Sequence, residues 1–253
     1  MININKNSLK IIFVFSIAIN CCFAVVAQAK GRALLIISEL DARGVKELRP
    51  LYKGLEKLTW SIPSRMPLID QIYFQQKLVT GIEASIEESQ NSLIQMLRNP
   101  EIENLDLILG VHGLPDKIAF SDGSIETKTW VDSVKSKLNM NGDEIGLLKK
   151  LGFLYNLSCY GASHITSFLE LGFQTVVGSR SVNANAEVEY PWVLQMLTLG
   201  STVQAAFSKP NSDDWLNFAD GPIRWLGRRQ NSFLQETDSY KIIGGNTNYS
   251  ILN

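Results

Sequence analysis

Residues 105–113 read LDLILGVHG. The first seven are almost continuously apolar, with no alternation of polar and apolar positions. A strand buried on both faces has that pattern, and such strands belong to parallel sheets. The run ends on His112, one of only two histidines in the chain, and Gly113 follows. Functional groups of a parallel sheet collect at the carboxyl ends of its strands, so this histidine stands where chemistry is expected.

Similar runs recur on either side. RALLIISEL (32–40), QIYFQQKLV (71–79), GFLYNLS (152–158) and FQTVVGS (173–179) read as further strands. Between them lie helical patterns. One covers 44–58, before the two prolines of SIPSRMP (61–67). A second is opened by a Thr80/Glu83 capping box, carries Ile86, Leu93 and Leu97 on one face, and is ended by Asn99-Pro100. A third, Thr129–Leu138, places Trp130, Val131, Val134 and Leu138 together. SHITSFLEL (163–171) is closed by Gly172. Pro191 fits the first turn of a helix through Leu199 that stops at Gly200, and Ser201 and Gln204 cap a short one. KIAFSDGSIE (117–126) reads as a hairpin around Asp122-Gly123. The alternation predicts an α/β fold, a three-layer α/β/α sandwich with a mostly parallel central sheet. After about residue 210 the pattern weakens. LNFADGPIRWLGRRQ and YKIIGG read as a tail of short elements, with GRRQ (227–230) a solvated turn.

The formal net charge is −1, so no global basic field points to nucleic acid. At the start, Lys6 and Lys10 precede IIFVFSIAINCCFAVV, and AQA follows. A charged region, an apolar region and a small-x-small site make residues 1–29 a secretory signal peptide, with Lys30 the first mature residue. The apolar run is about sixteen residues, short of the ~20 that a spanning helix needs. Asn20 before Cys21 argues against lipid attachment. The expected mature chain, 30–253, is one exported domain, periplasmic or extracellular, with no stable membrane anchor. It keeps Cys159 and loses Cys21 and Cys22, so it has no internal disulfide. A lone thiol in an oxidising compartment is either buried and inert or kept for its reactivity.

Cys159 ends the run FLYNLSCYG (153–161), and a hairpin and a helix separate its strand from that of His112. The two strands can therefore be neighbours. A histidine and a cysteine at one sheet edge supply what thiol attack on a carbonyl requires, a thiolate and a proton donor for the leaving amine. Gly113 would offer its N–H to an oxyanion. A helix after Cys159 would favour the thiolate.

A strand ending in His-Gly followed by a strand ending in Cys resembles the caspase-like cysteine peptidases, among them caspases, metacaspases, legumains, gingipains, clostripain, separase and the CHAT domains. LELGFQTVVGSRSVNANAEVEYPWVLQMLTLGSTVQAA (169–206) is similar to the CHAT and caspase pattern that follows the cysteine. A histidine roughly fifty residues before the cysteine also suits caspases. The resemblance covers about Arg32 to Ala206. It implies a cysteine endopeptidase with a His112–Cys159 dyad, an oxyanion hole made by the Gly113 and Cys159 N–H groups, a peptide or protein substrate and no cofactor. It also implies a specificity pocket shaped by SRSVNANAEVEY (179–190), where Glu187 and Glu189 would accept a cationic side chain or Arg180 an anionic one. LSCYGAS lacks the acidic residue that many relatives place two positions before the cysteine.

The chief alternative is a catalytically silent caspase-like module that binds a partner, since fold does not fix function. An α/β-hydrolase is disfavoured: Gly-x-Ser-x-Gly is absent, and no histidine follows His164. His164 reads as a partly exposed helix residue. Metal-ligand spacings such as Cys-x-x-Cys or His-Glu-x-x-His are absent, and scattered Asp residues leave calcium open.

Overall fold

The computed structural model describes residues 31–40, 57, 68–139, 144–184 and 186–252. The expected signal peptide, the 44–58 helix apart from Lys57, and the SIPSRMP break lie outside the described residues. Strand β1 is Arg32–Glu39, buried along its whole length. Helix α1 (Ile69–Ile72) precedes β2 (Gln75–Thr80). The second strand therefore starts later than the sequence suggests, because QIYF is divided between a helical turn and its exit. A 3₁₀ turn at Gly81–Glu83 leads to helix α2, Ile86–Arg98. Its cap is not Thr80. Ser85 Oγ accepts from the backbone N–H of Glu88, so the capping pair lies five residues further on.

Strand β3 (Asn104–Leu114) carries the hairpin strands β4 (Lys117–Ala119) and β5 (Ser124–Glu126) at its carboxyl end. Then come α3 (Thr127–Asn139), α4 (Glu144–Leu148), β6 (Leu151–Asn156), α5 (Ile165–Leu171) and β7 (Thr175–Ser179). The chain ends in α6 (Ala186–Thr198), α7 (Val203–Ser208), α8 (Asp213–Gln230) and β8 (Lys241–Gly245). The expected tail of short elements is instead an eighteen-residue helix and an edge strand. GRRQ is the last turn of α8. Its Gly227 is buried because its Cα lies against the backbone at Leu234 and Gln235. Pro191 sits inside α6 rather than in its first turn, and Thr202, not Ser201, caps α7.

The sheet order is β2-β1-β3-β6-β7-β8. Every pair in it is parallel except β7–β8. Side chains alternate across the sheet. Leu35, Ile37, Leu107, Leu109 and Leu154 face α2, α3 and α5, whose Leu93, Trp130, Val134 and Phe168 are fully buried. Leu34, Ile36, Ile108, Phe153 and Tyr155 face α1, α6 and α7 on the other side. This is a three-layer α/β/α sandwich with a mostly parallel sheet, as the alternation predicts.

The amino edge of the sheet is tied by buried charge. Arg32 and Asp106, each 1% exposed, pair at 2.7 Å. Tyr73 donates to the same carboxylate at 2.9 Å, and the Phe153 N–H donates to it at 2.8 Å. Arg32 also donates to Tyr249 Oη at 2.8 Å, which attaches the C-terminal segment. Gly152 is required here, because a Cβ would stand 2.2 Å from Tyr249 Oη. Burial opposes the Arg32 charge, but Asp106, Tyr249 and Tyr73 together outweigh it and hold the guanidinium more firmly protonated than usual. Burial, with Asp106 beside it, pushes the Tyr73 hydroxyl well up. Breaking such a pair from one side leaves an uncompensated buried charge, at a cost of about 3–5 kcal/mol. Arg32→Met is expected to lower unfolding free energy by about that amount in urea titration.

Candidate active site

The direction of the chain connections changes between β1 and β3. From β1 the chain leaves toward β2, and from β3 it leaves toward β6. The crevice outside the carboxyl ends of the strands at such a reversal is the usual ligand site of an open α/β sheet. His112 stands on its rim. Its Nε2 lies 3.1 Å from the carbonyl oxygen of Leu40, the residue after β1. A carbonyl only accepts, so Nε2 carries the proton and the neutral ring keeps its lone pair on Nδ1.

Cys159 comes from the neighbouring strand. The β3–β6 register pairs Leu109 with Asn156, and His112 and Cys159 each stand three residues beyond that pair. The thiol is half-buried and not in a disulfide. Gly113 lies directly against the cysteine backbone. A Cβ there would be 2.1 Å from the Cys159 carbonyl oxygen and 2.7 Å from Ser158 Cβ. No other residue fits in this position, so the glycine is explained by close approach as well as by any N–H it offers.

Two residues that the sequence left unassigned hold these strand ends together. Asn156, fully buried at the end of β6, accepts from the Ser158 N–H at 3.0 Å and from Ser158 Oγ at 2.5 Å. Its amide donates to His164 Nδ1 at 2.9 Å. His164 Nε2 in turn donates to the Leu114 carbonyl at 2.9 Å. The chain of bonds runs from the residue before Cys159 to the residue after Gly113. His164 is thus fully buried, not partly exposed as expected, because the turn after Cys159 folds it under the loop. Burial lowers its pKa despite the Leu114 carbonyl, and the neutral tautomer satisfies both partners. The signal for this clamp was the single polar residue, Asn156, inside the apolar run GFLYN.

The cysteine loop is anchored on β7 too. Ser179 Oγ donates to the Ser158 carbonyl at 2.9 Å, and the Tyr160 N–H donates to the Ser181 carbonyl at 2.7 Å. Tyr160 has a left-handed backbone, φ 55°, which turns the chain sharply after the thiol. A 3₁₀ turn, Gly161–His164, intervenes before α5, so the expected helix does not begin at the cysteine itself.

The expected pocket residues divide. Glu189 is buried, and its carboxylate accepts from Lys241 at 2.9 Å and from Tyr155. Burial raises its pKa, against the opposing pull of Lys241. Its charge is answered inside the fold by Lys241, so it does not face an open pocket for a substrate's cationic side chain as expected. Arg180 is on the surface, paired with Asp238 at 3.1 Å and stacked on Tyr240. The side chain of Glu187 lies outside the described residues. No group of three or more His, Cys, Asp or Glu suited to a metal occurs among the described residues.

No family model matches the chain. No curated protein matches it either. Among solved structures it is similar to a secreted C11 cysteine protease from Bacteroides thetaiotaomicron, in complex with an irreversible peptide inhibitor. The identity is 11%, the TM-score 0.36, and the match covers 64% of this chain. It spans about half of that protein's length, 53%. No helix among the described residues is long and apolar enough to cross a membrane.

The clamp predicts a pH dependence. A histidine with a lowered folded pKa contributes stability that is complete above its unfolded value of about 6.5. That contribution is lost as pH falls below it, because the unfolded chain takes up the proton first. Unfolding free energy should fall by at most about 1.4 kcal/mol per pH unit through this window. His164→Gln is expected to flatten that slope in urea titrations at several pH values between 7.5 and 5.

Proposed function

We propose that the protein is a cysteine endopeptidase of the caspase-like type, with Cys159 as nucleophile and His112 as its acid–base partner. One observation carries the reading. His112-Gly113 and Cys159 leave adjacent parallel strands at matching register, with the glycine pressed against the cysteine carbonyl. That contact supports a site in which Cys159 is the nucleophile, His112 the imidazole, and the Gly113 and Cys159 N–H groups the oxyanion donors. The Nε2–H bond to Leu40 supports the assignment of His112, since it fixes which ring nitrogen can take a proton.

In this mechanism the Cys159 thiolate attacks the carbonyl carbon of the scissile peptide bond. The oxyanion that forms is stabilised by the N–H groups of Gly113 and Cys159. Protonated His112 gives its proton to the leaving amine as the C–N bond breaks, leaving an acyl-enzyme thioester. His112, now neutral, takes a proton from water as the hydroxyl adds to the thioester. The second tetrahedral intermediate expels the thiolate and releases the carboxylic acid. The substrate is a peptide or protein. The charged apolar leader supports export to the periplasm or beyond.

Turnover of a mixed fluorogenic peptide library tests this. His112→Ala should lower the rate by ~10²–10⁴, and Cys159→Ala should abolish it. Undiminished turnover in Cys159→Ala would refute the assignment. A folded chain with no turnover on any peptide would favour a silent binding module.

A further inference from the structure

Helix α8 presents a face that the other described residues leave uncovered. Asp214, Phe218, Gly221, Pro222, Trp225 and Arg229 recur at steps of three, four and seven residues. On a helix of 3.6 residues per turn they share one arc of about 100°. Phe218 is 75% exposed and Trp225 53% exposed, although both are large apolar groups. Nothing lies within 4 Å of the place where a Cβ on Gly221 would stand. Isolated exposed apolar residues are ordinary, but here two large aromatics two turns apart flank Pro222 on one arc and make an apolar patch.

The stripe is symmetric about its own centre. Asp214 and Arg229 lie equally far from the Gly221-Pro222 midpoint, at opposite ends, and so do Phe218 and Trp225. Reversing the helix therefore exchanges acid with base and aromatic with aromatic. Arg229 lies over the Trp225 ring at 4.5 Å, which holds its charge on this face. Among the described residues, neither Asp214 nor Arg229 forms an ion pair within the chain.

We propose that α8 is a self-association surface, on which α8 of a second copy packs antiparallel about a two-fold axis through Gly221-Pro222. A two-fold contact needs a self-complementary patch, and this face is one. The axis passes through the one glycine of the stripe, so the two backbones approach closely. Phe218 of each copy meets Trp225 of the other. Each Asp214 meets the other copy's Arg229, about 22 Å from its own Arg229 along the helix. The charge pattern selects a second copy over an anionic bilayer, because a bilayer would want base at both ends of the stripe.

Charge exchange tests the proposal. Sedimentation velocity on the full chain should show a concentration-dependent dimer. Asp214→Arg and Arg229→Asp should each weaken it by about tenfold or more, since each places like charges opposite one another twice per dimer. The double variant should restore it to within about threefold, because both pairs re-form with their signs reversed. Phe218→Ser changes no charge and touches no core, and it should also yield monomer. Circular dichroism confirms that each variant is folded. Association that the single reversals leave intact, or a double variant that stays monomeric while folded, would overturn the proposal. So would a monomer that co-sediments with phosphatidylglycerol vesicles through this face.

Discussion

The Cα of Gly113 rests against the carbonyl of Cys159 with no room for a methyl group between them. Two strand ends that close to each other cannot carry side chains at the contact point, and their backbone groups must find partners elsewhere. Much of the local architecture follows from this. The β4–β5 hairpin continues β3 past the sheet edge. The left-handed turn at Tyr160 carries the other chain away. The Asn156–His164 pair spans the gap beneath and bonds to both sides. The result is a rigid backbone frame around a half-buried thiol, set by buried hydrogen bonds and not by loop packing.

The opposite edge of the sheet is held by a different device. There Arg32, Asp106, Tyr73 and Tyr249 form a closed polar network with almost no exposure. Such a network adds little net stability over an apolar replacement, but it tolerates no partial loss. It joins β1, β3, the start of β6 and the C-terminal segment in one register. Because β3 is continuous from Asp106 to His112, fixing its amino end also fixes where its carboxyl end projects. The charged network thereby helps place the histidine three pleat repeats away.

The layers and the parallel sheet were legible because strands buried on both faces leave unbroken apolar runs, as at 32–39 and 105–111. The carboxyl ends of the two central strands were legible only to within three residues, since β3 runs on to Leu114 and β6 stops at Asn156. What escaped was less local. Helix α8 carries Gly221, Pro222 and Gly227, each of which reads as a break; two of them lie on the open face, and the third is explained only by its contact with Leu234 and Gln235. Glu189 read as a pocket carboxylate because its partner, Lys241, lies fifty-two residues away in β8. His164 looked exposed because its two partners come from β6 and β3. Long-range pairing of this kind leaves no periodic trace in the chain.

The central claim is that Cys159 and His112 form one reactive centre. Peptidyl acyloxymethyl ketones measure this most directly, since they alkylate an activated thiolate that also binds the peptide, expelling the carboxylate. The adduct is located by mass spectrometry of the protein before and after digestion. The account predicts a single thioether on Cys159, absent when His112 is changed to Ala in a folded chain. A protein whose Cys159 reacts with iodoacetamide but not with any peptidyl reagent, or whose labelling ignores the loss of His112, would contradict it.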